Sequence, residues 1–486
     1  MAFPAVWVAD WLRMNPLQRS PEEYREAFLC VSELATNLLR ELNDRPCFPN
    51  IAGEESQQLF SEPLPEEGIG LRALDVLQAV IDASRLPSPR FFGYVLGSGE
   101  PIAAAADLLA SVLNQNVTAW RSAPAAVTIE RVVIDWLAQA MGCTGFMGSL
   151  TGGGSTANLM ALAMARESRT PANESGVERP GTVYASEQVH MSIPKAIALL
   201  GLGRRYLRLI PCDAQFQIRL DLLEDAIASD VRDGHIPVAI VGTAGTVATG
   251  SIDPLRELAD LARKHGAWFH IDGAFGGLAA LARPELFNSL SRADSIALDP
   301  HKWLYQPLDC GCLLYRDRLV ARKTFSFTGD YAKTLREDPV ENFAFFEETL
   351  ELSRRFRALK LWLSLRYHGL AAFRSQIAHN LELAAHLAKI IETNDHLELM
   401  APVPLGAVCF RFVPSSHRLS EAQLDSLNVK IMTQIQLAGG VYISNATIHG
   451  HFALRACVVN HRSTSEDVEA VVDEVVKTGK TLLLES

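Results

Sequence analysis

The sequence predicts an α/β chain: a large domain on a mostly parallel sheet, then a smaller α+β domain. Three observations carry that expectation. Between about residues 100 and 374, strands and helices alternate with short links, the pattern of βαβ units and of a parallel sheet covered by helices. Before that, the chain reads as helical and irregular. After it, a long helix, strand-like runs and a terminal helix mix. The expected divisions are 1–99, 100–374 and 375–486.

Each stretch has its own signal. PEEYREAFLCVSELATNLLREL (21–42) alternates charged and apolar residues at helical spacing. LPSPRFFGYVLGSGEP (86–101), rich in Pro and Gly, reads as a connector. VAIVGTAG (238–245) is an apolar strand ending in small residues. In IDPLRELADLARKHG (252–266), Asp253 is the expected N-cap, Pro254 suits the first turn and Gly266 marks the end. Leu255, Leu258, Ala259 and Ala262 form its buried face. AWFHID (267–272) is the next strand. From about 375 a long helix leads into VCFRFVP, then a helix SEAQLDSLNVKIMTQIQLAG. Strand-like VYIS and FALRACVV follow, and a last helix begins near Thr464. No internal repeat or low-complexity tract interrupts this order.

Composition bounds the function. The 486 residues are 48% hydrophobic and 21% charged, as in an ordinary globular protein. The net charge of −11 argues against nucleic acid or an anionic membrane, which want a basic face. IAAAADLLASVL (102–113) is broken by Asp107 and falls short of a bilayer crossing. MAFPAVWVADWLRMN lacks the pattern of a signal peptide. The eight cysteines are scattered and only Cys310 and Cys312 lie close, fitting neither a zinc ribbon nor a disulfide framework. Reduced core cysteines in a cytoplasmic protein are expected. His449 and His451 form an H-x-H without a clear third ligand, and no metal site is expected.

Four motifs carry chemistry. In DPHKW (299–303), Lys302 follows the apolar run ADSIAL. A lysine at a buried strand end is either a desolvated nucleophile able to form a Schiff base or one that reaches back to solvent. TGGGSTANLMALAMARE (151–167) sets three glycines before a helix, a phosphate cradle or merely a tight turn. It lacks the lysine of a Walker loop and the G-x-G-x-x-G spacing. In FHIDGAFGG (269–277), Asp272 ends a strand where ligands gather in α/β sheets, unless it caps a turn. In ASEQVHMSIPKA (185–196), His190 could stack on a planar ring or be an ordinary satisfied histidine. Together the four are what pyridoxal phosphate needs: a phosphate anchor, a carboxylate for the pyridine nitrogen, a stacking imidazole and a lysine for the aldehyde.

With DPHKWL, IDGAFGG, EQVHMSI and LSRRFRALKLW (352–362) in hand, the sequence resembles the group II pyridoxal-phosphate decarboxylases. That family includes aromatic amino acid, histidine, glutamate and cysteine-sulfinate decarboxylases. The resemblance runs from about Leu38 to the last helix. It implies the fold type I (aspartate aminotransferase-like) architecture and pyridoxal 5'-phosphate as cofactor. It also implies a homodimer with the active site at the interface, the first 99 residues packing on the partner. Lys302 would carry the cofactor as an aldimine, Asp272 would meet the pyridine nitrogen, and His190 and Ala274 would sandwich the ring. Gly153, Gly154, Ser155 and His301 would hold the phosphate, and Thr246 would line the site.

The implied reaction is decarboxylation of an L-amino acid to its amine and carbon dioxide. The alternatives are an aldehyde synthase, other carbon–nitrogen chemistry on the same fold, or a non-catalytic relative, which the intact set of residues speaks against. The protonating tyrosine would be Tyr331 in FTGDYAKTLRED, 23 residues before Arg354 (354 − 331), on a polar lid over 326–342. Tyr331 and His190 favour the plain amine. Departures from the family bear on substrate: Leu86, Pro87, Arg90, Leu96 and Gly97 break the aromatic-type pattern, and Asp299 replaces an Asn. Tyr94, Asn116 and Thr118 are the expected substrate pocket, whose polar Asn and Thr would suit a smaller or more polar side chain. Arg455 stands either near the site or in a structural salt bridge.

Overall fold

The structure is a computed structural model that describes residues 17–327, 338–415 and 419–485. Its larger sheet has seven strands, β1 (Met147–Thr151), β2 (Gly181–Ser186), β3 (Leu207–Ile210), β4 (Ile236–Thr243), β5 (Trp268–Gly273), β6 (Ser295–Leu298) and β7 (Gly311–Tyr315). They lie in the order β1-β7-β6-β5-β4-β2-β3. The pairs β2–β3, β2–β4, β4–β5 and β5–β6 are parallel. Strand β7 runs antiparallel between β6 and β1, so β1 points the same way as β6. The carboxyl ends of β1, β2, β4, β5 and β6 therefore share one edge, where an α/β sheet places its ligands.

Central strands β2 and β5 are buried at every position, as expected for parallel strands covered on both faces. The helix Gly154–Arg169 lies on one face, burying Ala157, Met160, Ala161, Leu162 and Met164. The expected helix at 252–266 spans Leu255–His265 and ends at Gly266 with φ 62°, the left-handed turn glycine permits. Its start differs from expectation. The carboxylate of Asp253 does not cap that helix; it accepts the amides of Thr243 (2.8 Å) and Ile218 (2.9 Å). Burial there pushes its pKa up to about 6.

The smaller sheet, β10-β11-β9-β8, is antiparallel: β8 (Leu397–Leu399), β9 (Ala407–Phe412), β10 (Ser444–Ile448) and β11 (His451–Cys457). Helices Leu370–Glu392, Glu421–Ala438 and Ser465–Leu484 pack with it. The expected connector forms no helix or extended strand over 86–100, and a helix begins at its last residue, Pro101. It is held against this sheet by the Phe92 amide on Tyr442 O (2.8 Å) and Asn460 Nδ2 on Ser88 O (2.8 Å).

Candidate active site

The shared edge holds a cleft of about 260 Å³ lined by residues from each expected motif. Gly152, Gly153, Gly154 and Ser155 come from the turn after β1, and His190 from the loop after β2. Asp272, Ala274 and Phe275 come from the end of β5, and Asp299, His301 and Lys302 from the turn after β6. A larger cavity of about 660 Å³, rich in arginine, lies near the other ends of β5 and β6. It contains none of these motifs.

Lys302 sits on the short helix Pro300–Trp303, which starts two residues after β6 ends. Its Nζ is 2.8 Å from Asp299 Oδ2. The His301 Nδ1–H donates to Cys310 O at 2.8 Å, while its Nε2 lies 3.6 Å from the same Asp299 oxygen. Burial holds the His301 imidazole below its ordinary range, opposed by the charge of Asp299. Asp272 Oδ1 accepts the Ala274 amide (3.2 Å) and Oδ2 accepts Asn158 Nδ2 (2.9 Å). His190 is held by Ser192, with Nδ1 2.8 Å from Oγ, and burial likewise lowers its pKa.

The glycine turn has a steric reason. Gly153 has φ 128°, a conformation side chains avoid. A Cβ on Gly154 would come within 2.7 Å of Ala274 Cβ and 3.0 Å of Asp299 Oδ2. The turn is therefore pressed against β5 and β6, with the amino end of a 16-residue helix beginning there. Such an end offers free N–H groups and a partial positive charge to an anion.

These residues fit pyridoxal phosphate. The cleft wall carries two buried oxygens without a hydrogen-bond partner, Asp299 Oδ1 and Thr243 Oγ1. Buried polar atoms are ordinarily satisfied, so the site is built for a polar guest. An anion-binding turn, an amine and a carboxylate converge on the same space.

Other expected residues lie elsewhere. Thr246 does not line the cleft; its hydroxyl turns into its own loop, 3.0 Å from Thr249 Oγ1 and accepting the Ser251 amide. Thr243, Gly245 and Val247 line the wall instead. Asn116 and Thr118 are also off the wall, because Asn116 Oδ1 is taken by the Arg354 amide (2.8 Å) and Thr118 O by that of Phe346. Tyr94 is exposed, its hydroxyl 3.2 Å from that of Tyr442, while its neighbours Val95 and Leu96 reach the cleft. Tyr331 lies outside the described residues.

Arg455 is buried without a carboxylate partner among the described residues. It donates to Ser444 Oγ (3.0 Å) and to the carbonyl of Val247, a cleft residue. His449 packs on Phe216 and His451 lies 3.6 Å from Glu421 and Asp425. Sequence reading missed Thr243, Val247, Leu308 and Asn158. Only Asn158 left a trace, as a polar residue inside the apolar run ANLMALAMA.

Comparison with known proteins identifies the family and the fold. The model of the pyridoxal-dependent decarboxylase conserved domain matches residues 62–413. An aromatic-L-amino-acid decarboxylase of Bacillus atrophaeus is 32% identical over 468 residues, 94% of this chain and 96% of that protein. The crystal structure of Catharanthus roseus tryptophan decarboxylase with L-tryptophan superposes with a TM-score of 0.86 at 25% identity, covering 96% of this chain and 100% of that one. Rhodiola rosea 4-hydroxyphenylacetaldehyde synthase gives 0.85 at 26%, covering 96% and 99%.

Proposed function

The chain belongs to the pyridoxal-dependent decarboxylase family, an amino acid decarboxylase of type I fold using pyridoxal phosphate, and we propose that it converts aromatic L-amino acids to their amines. The observation that supports this choice is the cleft wall beyond the polar residues. Val95, Leu96, Val247, Phe275 and Leu308 make it apolar, so an aromatic side chain would lose water there at little polar cost. The polar Asn116 and Thr118 that would favour a smaller side chain lie off that wall.

When bound, pyridoxal phosphate would supply an electron sink for the pair left on the substrate's α-carbon. The chain supplies the rest. Lys302 Nζ is the amine for the aldehyde carbon. Asp272 would hold a proton on the pyridine nitrogen, and His190 and Ala274 would hold the ring between them. Gly153, Gly154, Ser155 and His301 would hold the phosphate. Tyr331 would supply the proton that replaces the departing carboxylate. Tyr331→Phe is therefore expected to keep cofactor binding and lose amine production; amine at the wild-type rate would remove Tyr331 from the mechanism.

The working unit is proposed to be a homodimer with residues 1–99 against the partner, a large domain at 100–374 and a small one at 375–486. Supporting this, the helix Pro21–Glu41 buries none of its residues although it carries Phe28, Leu29, Val31 and Leu39. Among the described residues no helix is long and apolar enough to cross a membrane. All eight cysteines are free, as in a reducing compartment, and the cytoplasm is the proposed location.

Carbon dioxide release from a panel of amino acids tests the substrate. Tryptophan, tyrosine and phenylalanine are expected to outrun glutamate, cysteine sulfinate and 2,4-diaminobutyrate. A preference for an acidic or diamino substrate would overturn the aromatic assignment. Aldehyde, ammonia and peroxide formed under oxygen would overturn the amine product.

A further inference from the structure

Asn158 lies in the second turn of the Gly154–Arg169 helix, 1% exposed. A buried amide needs a partner for each polar atom, and Asn158 has all of them. Its Nδ2 donates to Asp272 Oδ2 and to Ser192 Oγ, each at 2.9 Å. Its Oδ1 lies 2.9 Å from His270 Nε2.

These contacts assign hydrogens along a chain of side chains. A carboxylate oxygen only accepts, so the amide nitrogen must face Asp272 and the amide oxygen must face His270. That oxygen only accepts, so His270 carries its hydrogen on Nε2. Burial, opposed by the charge of Asp272, pushes the His270 pKa down to about 4. The ring is thus neutral near pH 7 and its Nδ1 is bare. Nδ1 then accepts the hydroxyl of Ser295 at 2.9 Å, and Ser295 Oγ accepts Trp268 Nε1–H at 2.8 Å. On the other arm, Ser192 Oγ accepts from Asn158, so its own hydrogen goes to His190 Nδ1 at 2.8 Å. The Ser192 amide adds to the same nitrogen at 3.3 Å. His190 therefore carries its hydrogen on Nε2.

We propose that Asn158 is a positioning residue that sets, through one neutral amide, the orientation of both Asp272 and His190 before the cofactor arrives. The inference rests on the reading in which Asp272 meets the pyridine nitrogen and His190 stacks on the ring. No proton moves along this chain. Its use is preorganisation: the two groups on which the ring would rest are fixed by buried partners rather than by the ring itself.

The test is the dissociation constant of pyridoxal phosphate from reconstituted enzyme, followed by fluorescence, with the holoenzyme absorption band and the melting temperature recorded alongside. Asn158→Leu removes all three hydrogen bonds and is expected to weaken cofactor binding about tenfold to a hundredfold, the range for losing a bond to a charged group. Asn158→Asp keeps the shape and the acceptor toward His270 but sets a second carboxylate against Asp272. It is expected to weaken binding more than Asn158→Leu does, because like charges at that separation repel. A space-filling role demands the reverse order, so an Asn158→Asp enzyme that binds as well as Asn158→Leu, or better, overturns the proposal. Asp272→Ala separates premise from inference. Wild-type cofactor affinity in that variant overturns the assignment of Asp272 to the ring nitrogen. A loss there, together with wild-type affinity in Asn158→Asp, overturns the role of Asn158 alone.

Discussion

The cleft edge of the large sheet and the amino-terminal helix are opposites in how the chain treats them. Around Lys302, polar side chains are buried or half-buried and nearly all paired, among them Lys302 with Asp299 and Asp272 with Asn158. On the helix Pro21–Glu41 the apolar residues are what stand exposed, Leu29 at 50% and Phe28 at 45%. Water solvates charge and rejects hydrocarbon, so each region inverts the ordinary arrangement. The first inversion is closed within one chain and marks chemistry. The second stays open among the described residues. A polar interior with its own partners suits a reaction, and an apolar exterior uncovered by the described residues suits the proposed association.

The sharpest break would come at the cleft. Lys302→Ala is expected to cut carbon dioxide release by at least about 10⁴-fold, within the scale on which loss of members of a catalytic constellation falls. Borohydride reduction of the wild-type holoenzyme is expected to fix the cofactor on the peptide that holds Lys302. Label on another lysine, with release undiminished in the variant, would remove the cleft's inversion from chemistry.

A buried pair with a purely structural task comes next. Arg354 and Glu130 are buried, and the guanidinium also donates to Val117 O (2.8 Å) and Leu150 O (2.9 Å). The RRFR stretch is thereby tied to the carboxyl end of β1 and to the helix Pro124–Ala140. Glu130→Ala leaves that cation buried without its carboxylate and is expected to cost about 3 kcal/mol or more in unfolding free energy, read by urea denaturation. A loss below about 1 kcal/mol would show that water reaches the site.

The residues at the cleft also show what the sequence could tell. Lys302, Asp272, His190 and the glycine turn were each ambiguous alone and became legible only in combination, because one cofactor needs all four kinds of group and the family motifs supply them together. The parallel sheet was legible because strands buried on both faces must be continuously apolar. Side-chain direction inside turns was not. Thr243 and Thr246 stand three residues apart in one strand-to-turn segment, and only the bond to Thr249 decides that Thr246 faces away. Asp253 looked like a helix cap because caps are local, yet its partner Ile218 is 35 residues distant. Asn116 was assigned to a pocket by its position in the family pattern, while within this chain its side chain holds the Arg354 amide. Each miss is a long-range contact overriding a local rule.

A smaller effect should appear on acidification. His461 sits between the cleft-side connector and the small sheet, its Nδ1 2.6 Å from Ser98 Oγ. Burial, with Arg462 beside it, lowers its pKa to about 4. Its folded pKa lies below the unfolded value of about 6.5, so the unfolded chain binds the extra proton between those limits. Stability is then full above pH 6.5 and falls as pH drops toward 4, by up to about 1.4 kcal/mol per pH unit from this group. Asp253, raised to about 6, works in the opposite sense, so the effect is read as a difference. The stability gap between wild type and His461→Asn is expected to shrink on acidification across that window. A constant gap would mean that His461 titrates normally in the folded protein.

The gentlest change tests the other region. Leu29 is half exposed within one chain, so Leu29→Ala removes little that the isolated chain buries and is expected to leave its folding nearly unchanged. In a two-fold symmetric dimer the same residue occurs in both halves of the interface. A truncation worth about 1 kcal/mol per copy then acts twice, weakening the dimer about thirtyfold. Sedimentation across a concentration series reads that shift directly, and the activity per chain should fall at the dilutions where the dimer parts, with the melting temperature at high concentration scarcely altered. Were Leu29→Ala to lower stability at every concentration equally, the helix would be packing on its own chain. The exposed apolar stripe would then have a partner inside the molecule, and the contrast between the two regions would reduce to one kind of burial.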